Sequence, residues 1–287
     1  MNFNLNMQLE KEYNTLIAGT VGSGKSVIIN GFICHLLQRQ KDVNLFLVDP
    51  KQVELKKYSD LCMTAKYANT PADALTLIND LIEVMQARYK YMAAHGLVKY
   101  PGKHIYLIID ELADLMLYDK KACQTSIMKL MQLSRAAAIH VIACTQCAAR
   151  VVIPAPLQVN FTAAIALHCK SPIESRQIIN TSGAEKLPLY GKAIFSSAAI
   201  NNRIIDVSMI DDDSIQETIA AAPHKVPEAP TPAPEAGRHA IYNPPEETRT
   251  GGNADRPKKR LKHAGPMAAY VAAGIYILMA LVWFTFL

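Results

Sequence analysis

Apolar positions follow two rhythms from Thr15 to about Ala220. Five unbroken runs, TLIAG (15–19), NLFLVD (44–49), HIYLIID (104–110), HVIACTQ (140–146) and TAAIALHC (162–169), have the length of buried strands. Between them, apolar residues recur at three- and four-residue steps. Positions 27, 28, 32, 33, 36 and 37 predict a helix directly after the first run, and further helices are expected around 71–95 and 121–138. Strands that are apolar on both faces, alternating with helices, predict an α/β domain with a mostly parallel central sheet.

The pattern changes after Ala222. The stretch HKVPEAPTPAPEAGRHAIYNPPEETRTGGNADRPKK is rich in proline and glycine and poor in large apolar residues, so it reads as a flexible linker. The final run MAAYVAAGIYILMALVWFTFL (267–287) holds 21 residues without a charge. As a helix it would span about 30 Å, the thickness of a bilayer core. The expected layout is a lead-in (1–13), a catalytic domain (14–222), a linker (223–266) and a transmembrane helix (267–287). Met1 to Tyr13 is polar and charged, unlike a secretory signal. Arg256, Lys258, Lys259, Arg260 and Lys262 precede the apolar run. By the positive-inside rule they place the domain on the cytoplasmic side of an inner or cytoplasmic membrane, held by a C-terminal tail anchor.

Charge adds little to this picture. The net charge is +5, but residues 1–220 carry 22 Lys and Arg against 20 Asp and Glu, so the basic excess is mostly the 256–262 cluster and not a general nucleic-acid signature. The six cysteines form no disulfide framework and suit a reducing compartment. Cys144 and Cys147 make a C-x-x-C; zinc or redox chemistry would need further ligands or a helix start there, and small residues at a strand end is the preferred reading.

The first run leads into AGTVGSGKSV (18–27), a G-x-x-x-x-G-K-[ST] pattern set between a strand and a helix. Glycines let backbone N–H groups converge on phosphate oxygens, and the helix N-terminus favours the anion. Gly19, Thr20, Val21, Gly22, Ser23, Gly24, Lys25, Ser26 and Val27 are therefore candidates for binding ATP, with Lys25 on the β- and γ-phosphates and Ser26 on Mg²⁺. The third run ends in Asp110-Glu111. Asp110 is placed to hold Mg²⁺ through water, and Glu111 to polarise an attacking water. Gln146, ending the fourth run, is a candidate γ-phosphate sensor.

With these motifs in place, AGTVGSGKSV, LVDPKQVELKKY, MQARYKYMAAHG, IIDELADLM, SRAAAIHVIACTQ, ESRQIIN and SGAEKL, in that order over residues 14–219, resemble the FtsK/SpoIIIE family of DNA translocases, in the HerA/FtsK branch of RecA-like P-loop ATPases. The segments 49–55 and 183–187 are narrower signals than the phosphate loop. The resemblance implies a hexameric ring of identical chains that moves DNA by hydrolysing ATP. It makes Lys25, Asp110, Glu111 and Gln146 the hydrolytic set and places Arg135 as an arginine finger toward a neighbouring copy.

The departures from the family pattern fall on DNA-facing loops. Cys147 and Ala148 stand where Arg-Pro is usual, Gln158 where a lysine is usual, and Pro172 at a further basic position. Arg150, Lys170 and Arg176 remain as DNA-facing candidates, with Lys192 nearby. Within these residues nothing resembles the family's N-terminal membrane domain or its winged-helix reader. The expected role is thus a compact motor for a phage, plasmid or other mobile element. The alternative is a protein-export or filamentous-virion assembly ATPase whose cargo is a polypeptide.

Overall fold

The computed structural model describes residues 3–39 and 41–225. The five apolar runs form β1 (Asn14–Ala18), β2 (Val43–Val48), β4 (His104–Ile109), β5 (Ile139–Thr145) and β6 (Ala163–Ala166). Three further strands, β3 (Thr64–Ala68), β7 (Lys192–Ser197) and β8 (Arg203–Asp206), complete one sheet in the order β3-β2-β4-β5-β1-β6-β7-β8. The pairings from β3 to β6 are parallel, and β7 and β8 join antiparallel. The mostly parallel α/β sheet expected from the hydrophobic pattern is therefore present. The three added strands lie at or beside the sheet margins, where burial is partial and the apolar signal short: β8 exposes all but Ile205.

Alternate side chains of the strands enter two cores. Leu16, Ala18, Leu107 and Ile109 pack beneath α3 (Pro71–Ala94), α4 (Leu112–Tyr118) and α5 (Lys120–Leu133) with Leu81, Leu115 and Ile127. Ile17, Tyr106 and Ile108 pack on the other face with Ile28, Phe32 and Ile33 of α2 (Lys25–Gln38) and Ile215 of α8 (Asp212–Ala221). Local chemistry starts the helices: Thr70 caps α3 ahead of Pro71 and Asp73, and Ser171 caps α7 (Pro172–Ile179) ahead of its own proline. Pro172, a departure from the family pattern, thus serves as a helix start.

Helix α5 ends at Leu133 rather than near 138, although alanines follow. Tertiary bonds override that propensity. The Ser134 hydroxyl donates to Asn14 Oδ1 (3.1 Å), Ala138 has φ 54°, and buried Arg88 donates to the carbonyls of Ala137 (2.6 Å), Ala138 (3.3 Å) and Lys103 (2.9 Å).

The expected lead-in contains α1 (Leu5–Leu9), which buries Leu9 and reaches α2 through Asn6. The first residues of the expected linker are also tied down: Pro223 O accepts from Cys62 N (2.8 Å), and Lys225 N donates to Asp60 O (2.8 Å). Among the described residues no helix is long and apolar enough to cross a membrane. The rest of the linker, the basic cluster and the apolar run 267–287 lie outside the described residues.

Candidate active site

Parallel register brings the C-terminal ends of the strands to one edge: Val48 pairs with Ile109, Ile109 with Ala143, and Ala18 with both Thr145 and Ala166. The loop 19–24 lies on this edge. Its glycines have different causes. Gly22 (φ 78°) and Gly24 (φ 105°) occupy left-handed backbone. At Gly19 a Cβ would stand 2.6 Å from Leu167 Cβ and 2.7 Å from Ser23 Oγ, so close packing on β6 demands glycine there.

Helix α2 begins at Lys25 with Gly24 before it and no side chain capping its first turn. Its leading N–H groups are thus free to meet an anion, which is the fit a phosphate chain requires. Lys25 Nζ donates to the carbonyls of Gly19 (2.8 Å) and Thr20 (2.9 Å), arching over the loop. Burial pulls its pKa below the ordinary lysine value, while Cys144, Glu111 and Asp110 oppose the shift. Val21 is exposed, Ser23 is buried and bonds Thr20 O (2.7 Å), and Ser26 and Val27 are half-buried in the first turn. The loop is also held from β6: Thr20 N donates to His168 O (2.9 Å).

Asp110 and Glu111 follow β4 and are separated from the phosphate loop by β5 alone. Asp110 is half-buried; burial, with the like charges of Asp49, Glu54 and Glu111 behind it, raises its pKa to about 7. A cation beside it would reverse that penalty. Glu111 is 4% exposed and turned toward the end of β5. Its carboxylate accepts from Thr145 Oγ1 (2.7 Å) and Gln146 N (3.1 Å), and it caps α4 through Ala113 N (3.3 Å). The Gln146 side chain is exposed, at the tip of the strand that Glu111 grips. The uncapped helix start, Lys25, the Ser26 hydroxyl and the Asp110 carboxylate have the chemistry that a nucleotide with its Mg²⁺ would need. Among the described residues no three His, Cys, Asp or Glu side chains group closely enough to hold a metal on their own. Cys144 is buried inside β5 while Cys147 is exposed, so the C-x-x-C is not a ligand pair.

The structure does not bring Arg135 to this edge. It lies exposed before the start of β5, with its guanidinium 5.9 Å from the Tyr13 ring. The seven residues of β5 put it on the order of 20 Å from its own phosphate loop. Arg150, Lys170 and Arg176 are exposed. Gln158 links the first of these to α7, accepting from Arg150 (3.4 Å) and donating to Gln177 O (2.7 Å). Lys192, however, is paired with Asp206.

Sequence reading missed the supporting residues. Thr145 was visible only as a hydroxyl before Gln146. Asp49 was visible only as part of the 49–55 segment, where Lys51 now pairs with Asp114 of α4 (3.6 Å). Asn14 and Arg88 gave no local sign of their buried bonds.

DNA translocase SpoIIIE of Bacillus subtilis (strain 168) is 31% identical over 235 residues, which cover 74% of this chain and 30% of that protein. DNA translocase FtsK of Caldanaerobacter subterraneus subsp. tengcongensis is 33% identical over 225 residues, covering 74% of this chain and 32% of the relative. The chain thus spans about a third of the length of the curated relatives it matches. The conjugation coupling protein TcpA of pCW3, solved with ATPγS, shares the fold with a TM-score of 0.66 and 24% identity over 74% of this chain and 65% of that one. The FtsK/SpoIIIE family model matches residues 1–102 and 98–150, and the chain belongs to the FtsK/SpoIIIE family.

Proposed function

We propose that this chain is an ATP-hydrolysing motor that translocates DNA, acting as a ring of copies, the hexamer implied by its family. One observation carries the reading. An uncapped helix N-terminus with Lys25, the acids Asp110 and Glu111, and Gln146 converge on a single sheet edge. They do so in a chain whose curated relatives are DNA translocases.

In this reading the N–H groups of residues 22–26 and the Lys25 ammonium receive the phosphates. Mg²⁺ would supply charge neutralisation for the phosphates. Ser26 and Asp110 would hold the cation, and Glu111 orients the attacking water and takes its proton. Because Glu111 also accepts from Thr145 and Gln146, a change at the γ-phosphate reaches the end of β5 in one step. Arg135 serves the site of an adjacent copy. Arg150, Lys170 and Arg176 are the cations offered to DNA phosphates, and residues 267–287 are the anchor that holds the motor at the cytoplasmic face of a membrane.

The test is ATPase activity of the full-length chain with and without single- and double-stranded DNA, across a salt titration. Wild type is expected to hydrolyse ATP and to be stimulated by DNA less strongly as salt rises. Lys25→Ala should abolish turnover. Hydrolysis that no DNA stimulates would remove the DNA claim. A second reading, a polypeptide cargo, is favoured by Gln158 in a basic position and by the neutralised Lys192. It predicts stimulation by peptide instead, in the same assay.

A further inference from the structure

We propose that Asp49 is a positioning residue for the divalent cation of the nucleotide, accepting a hydrogen bond from cation-bound water beside Asp110. The proposal rests on the nucleotide reading above and assigns a role to a residue outside the hydrolytic set.

The backbone puts the two acids side by side. Val48 and Ile109 are paired, so the next residue on each strand, Asp49 and Asp110, lie alongside one another at the phosphate-loop edge. Asp110 N donates to Val48 O (3.0 Å), and Asp49 N to Ala68 O (2.9 Å), which fixes both acids to the sheet.

Asp49 is fully buried (0% exposed), yet only half of its carboxylate is satisfied. Oδ2 accepts from Leu55 N (2.8 Å), whereas Oδ1 has no partner among the described residues. A carboxylate offers only acceptors, so whatever completes Oδ1 must bring a proton or a positive charge. No donor among the described residues, the Tyr67 hydroxyl included, makes that bond. Lys51, two residues on, is engaged with Asp114. Around neighbouring Asp110 the like charges of Asp49, Glu54 and Glu111 are opposed by Lys51 alone. The Tyr67 hydroxyl, also buried without a partner, is pushed upward in pKa by burial and then by the charge of Asp49. A buried acid with an open acceptor, beside a half-buried acid at the phosphate-loop edge, suits a hydrated cation. Mg²⁺ keeps several of its waters when bound, and groups that grip those waters set its affinity.

The experiment measures binding of a fluorescent ATP analogue to the full-length chain as Mg²⁺ is titrated, and again in EDTA. Asp49→Asn keeps the size of the side chain and an acceptor for Leu55 N–H while removing the charge. The variant is expected to need about tenfold more Mg²⁺ or beyond for the same tightening, with its affinity in EDTA unchanged. An unshifted Mg²⁺ midpoint, or an equal loss with and without Mg²⁺, would overturn the proposal. Failure of the wild type to bind the analogue would sink the nucleotide reading instead. Should the variant not fold, wild type labelled with ¹³C-carboxyl aspartate and loaded with Mn²⁺ and ADP can be read by electron–nuclear double resonance. Two aspartate carboxyl carbons coupled to the ion are expected, and one alone would refute the role.

Discussion

The glycines of the phosphate loop have separate physical causes, and substitution by alanine should separate them. At Gly22 an added Cβ meets nothing within 4 Å, and the only obstacle is φ 78°. Forcing an L side chain into left-handed backbone costs roughly 1–2 kcal/mol. At Gly19 the obstacle is packing: the new Cβ would sit 2.6 Å from Leu167 Cβ and 3.1 Å from the His168 carbonyl oxygen. Neither atom can rotate away, because one is bound directly to the backbone and the other belongs to it. Overpacking of this kind costs about 2–3 kcal/mol. For a domain of this size that is a fall in Tm of roughly 4–12 °C. The loop and β6 must part to relieve the contact, which also strains the bond from Thr20 N to His168 O. Gly19→Ala should therefore lose more stability than Gly22→Ala without nucleotide, and also lose affinity for it. Thermal unfolding of the two variants, with and without an ATP analogue, reads both effects. Equal Tm values for the two would refute the distinction between packing and φ.

Two further outcomes follow from the opposite edge of the sheet. His140 is 1% exposed, stacked between Tyr13 (4.5 Å) and Tyr106 (4.3 Å), and its Nδ1 donates to Glu12 O (2.7 Å), which leaves Nε2 to accept from His104 Nδ1 (2.8 Å). Burial lowers its pKa to about 4, below the unfolded value, so the unfolded chain binds the proton first. Stability is whole above about pH 6.5 and is lost as pH falls toward 4, by about 2 kcal/mol between pH 6.5 and 5. Urea unfolding should show this slope reduced in His140→Gln, and an unchanged slope would refute it. Arg135→Ala should bind nucleotide normally but turn it over ~10³-fold more slowly. Mixing it with Lys25→Ala should restore activity that neither has alone, since each supplies what the other lacks; a mixture as inactive as its parts would refute action between copies.

What was legible in the sequence had local causes. Strands β1, β2, β4, β5 and β6 announced themselves through apolar runs, and the phosphate loop through its glycine spacing, because sterics and burial act within a few residues. The acids at the end of β4 were equally visible. What stayed hidden depends on contacts between distant residues. The alanines after Leu133 favour helix, yet Asn14 and Arg88 draw that segment away from it. The strands β3, β7 and β8 are short and partly exposed, so their apolar pattern is weak. The segments 49–55 and 183–187 could be recognised from the family but not explained. Their purpose is support: Asp49 closes the first through Leu55 N, and the second reaches the phosphate loop through His168, whose Nδ1 donates to Leu187 O (2.7 Å) while its carbonyl accepts from Thr20.

Strand β1 gives this arrangement its logic. Its C-terminal end runs into Gly19 and the phosphate loop. At its other end, buried Asn14 donates to the carbonyls of Met131 (3.0 Å) and Asn160 (3.0 Å) and accepts from Ser134, the residue before Arg135. One five-residue strand, buried along its whole length, therefore fixes the site this chain uses and the arginine it presents outward. Arg135 lies at the far edge of the sheet from its own phosphate loop, so in the ring proposed above it is offered to the site of an adjacent copy. In that proposed ring, β1 is the rigid link between the edge that holds the phosphate loop and the edge that carries Arg135.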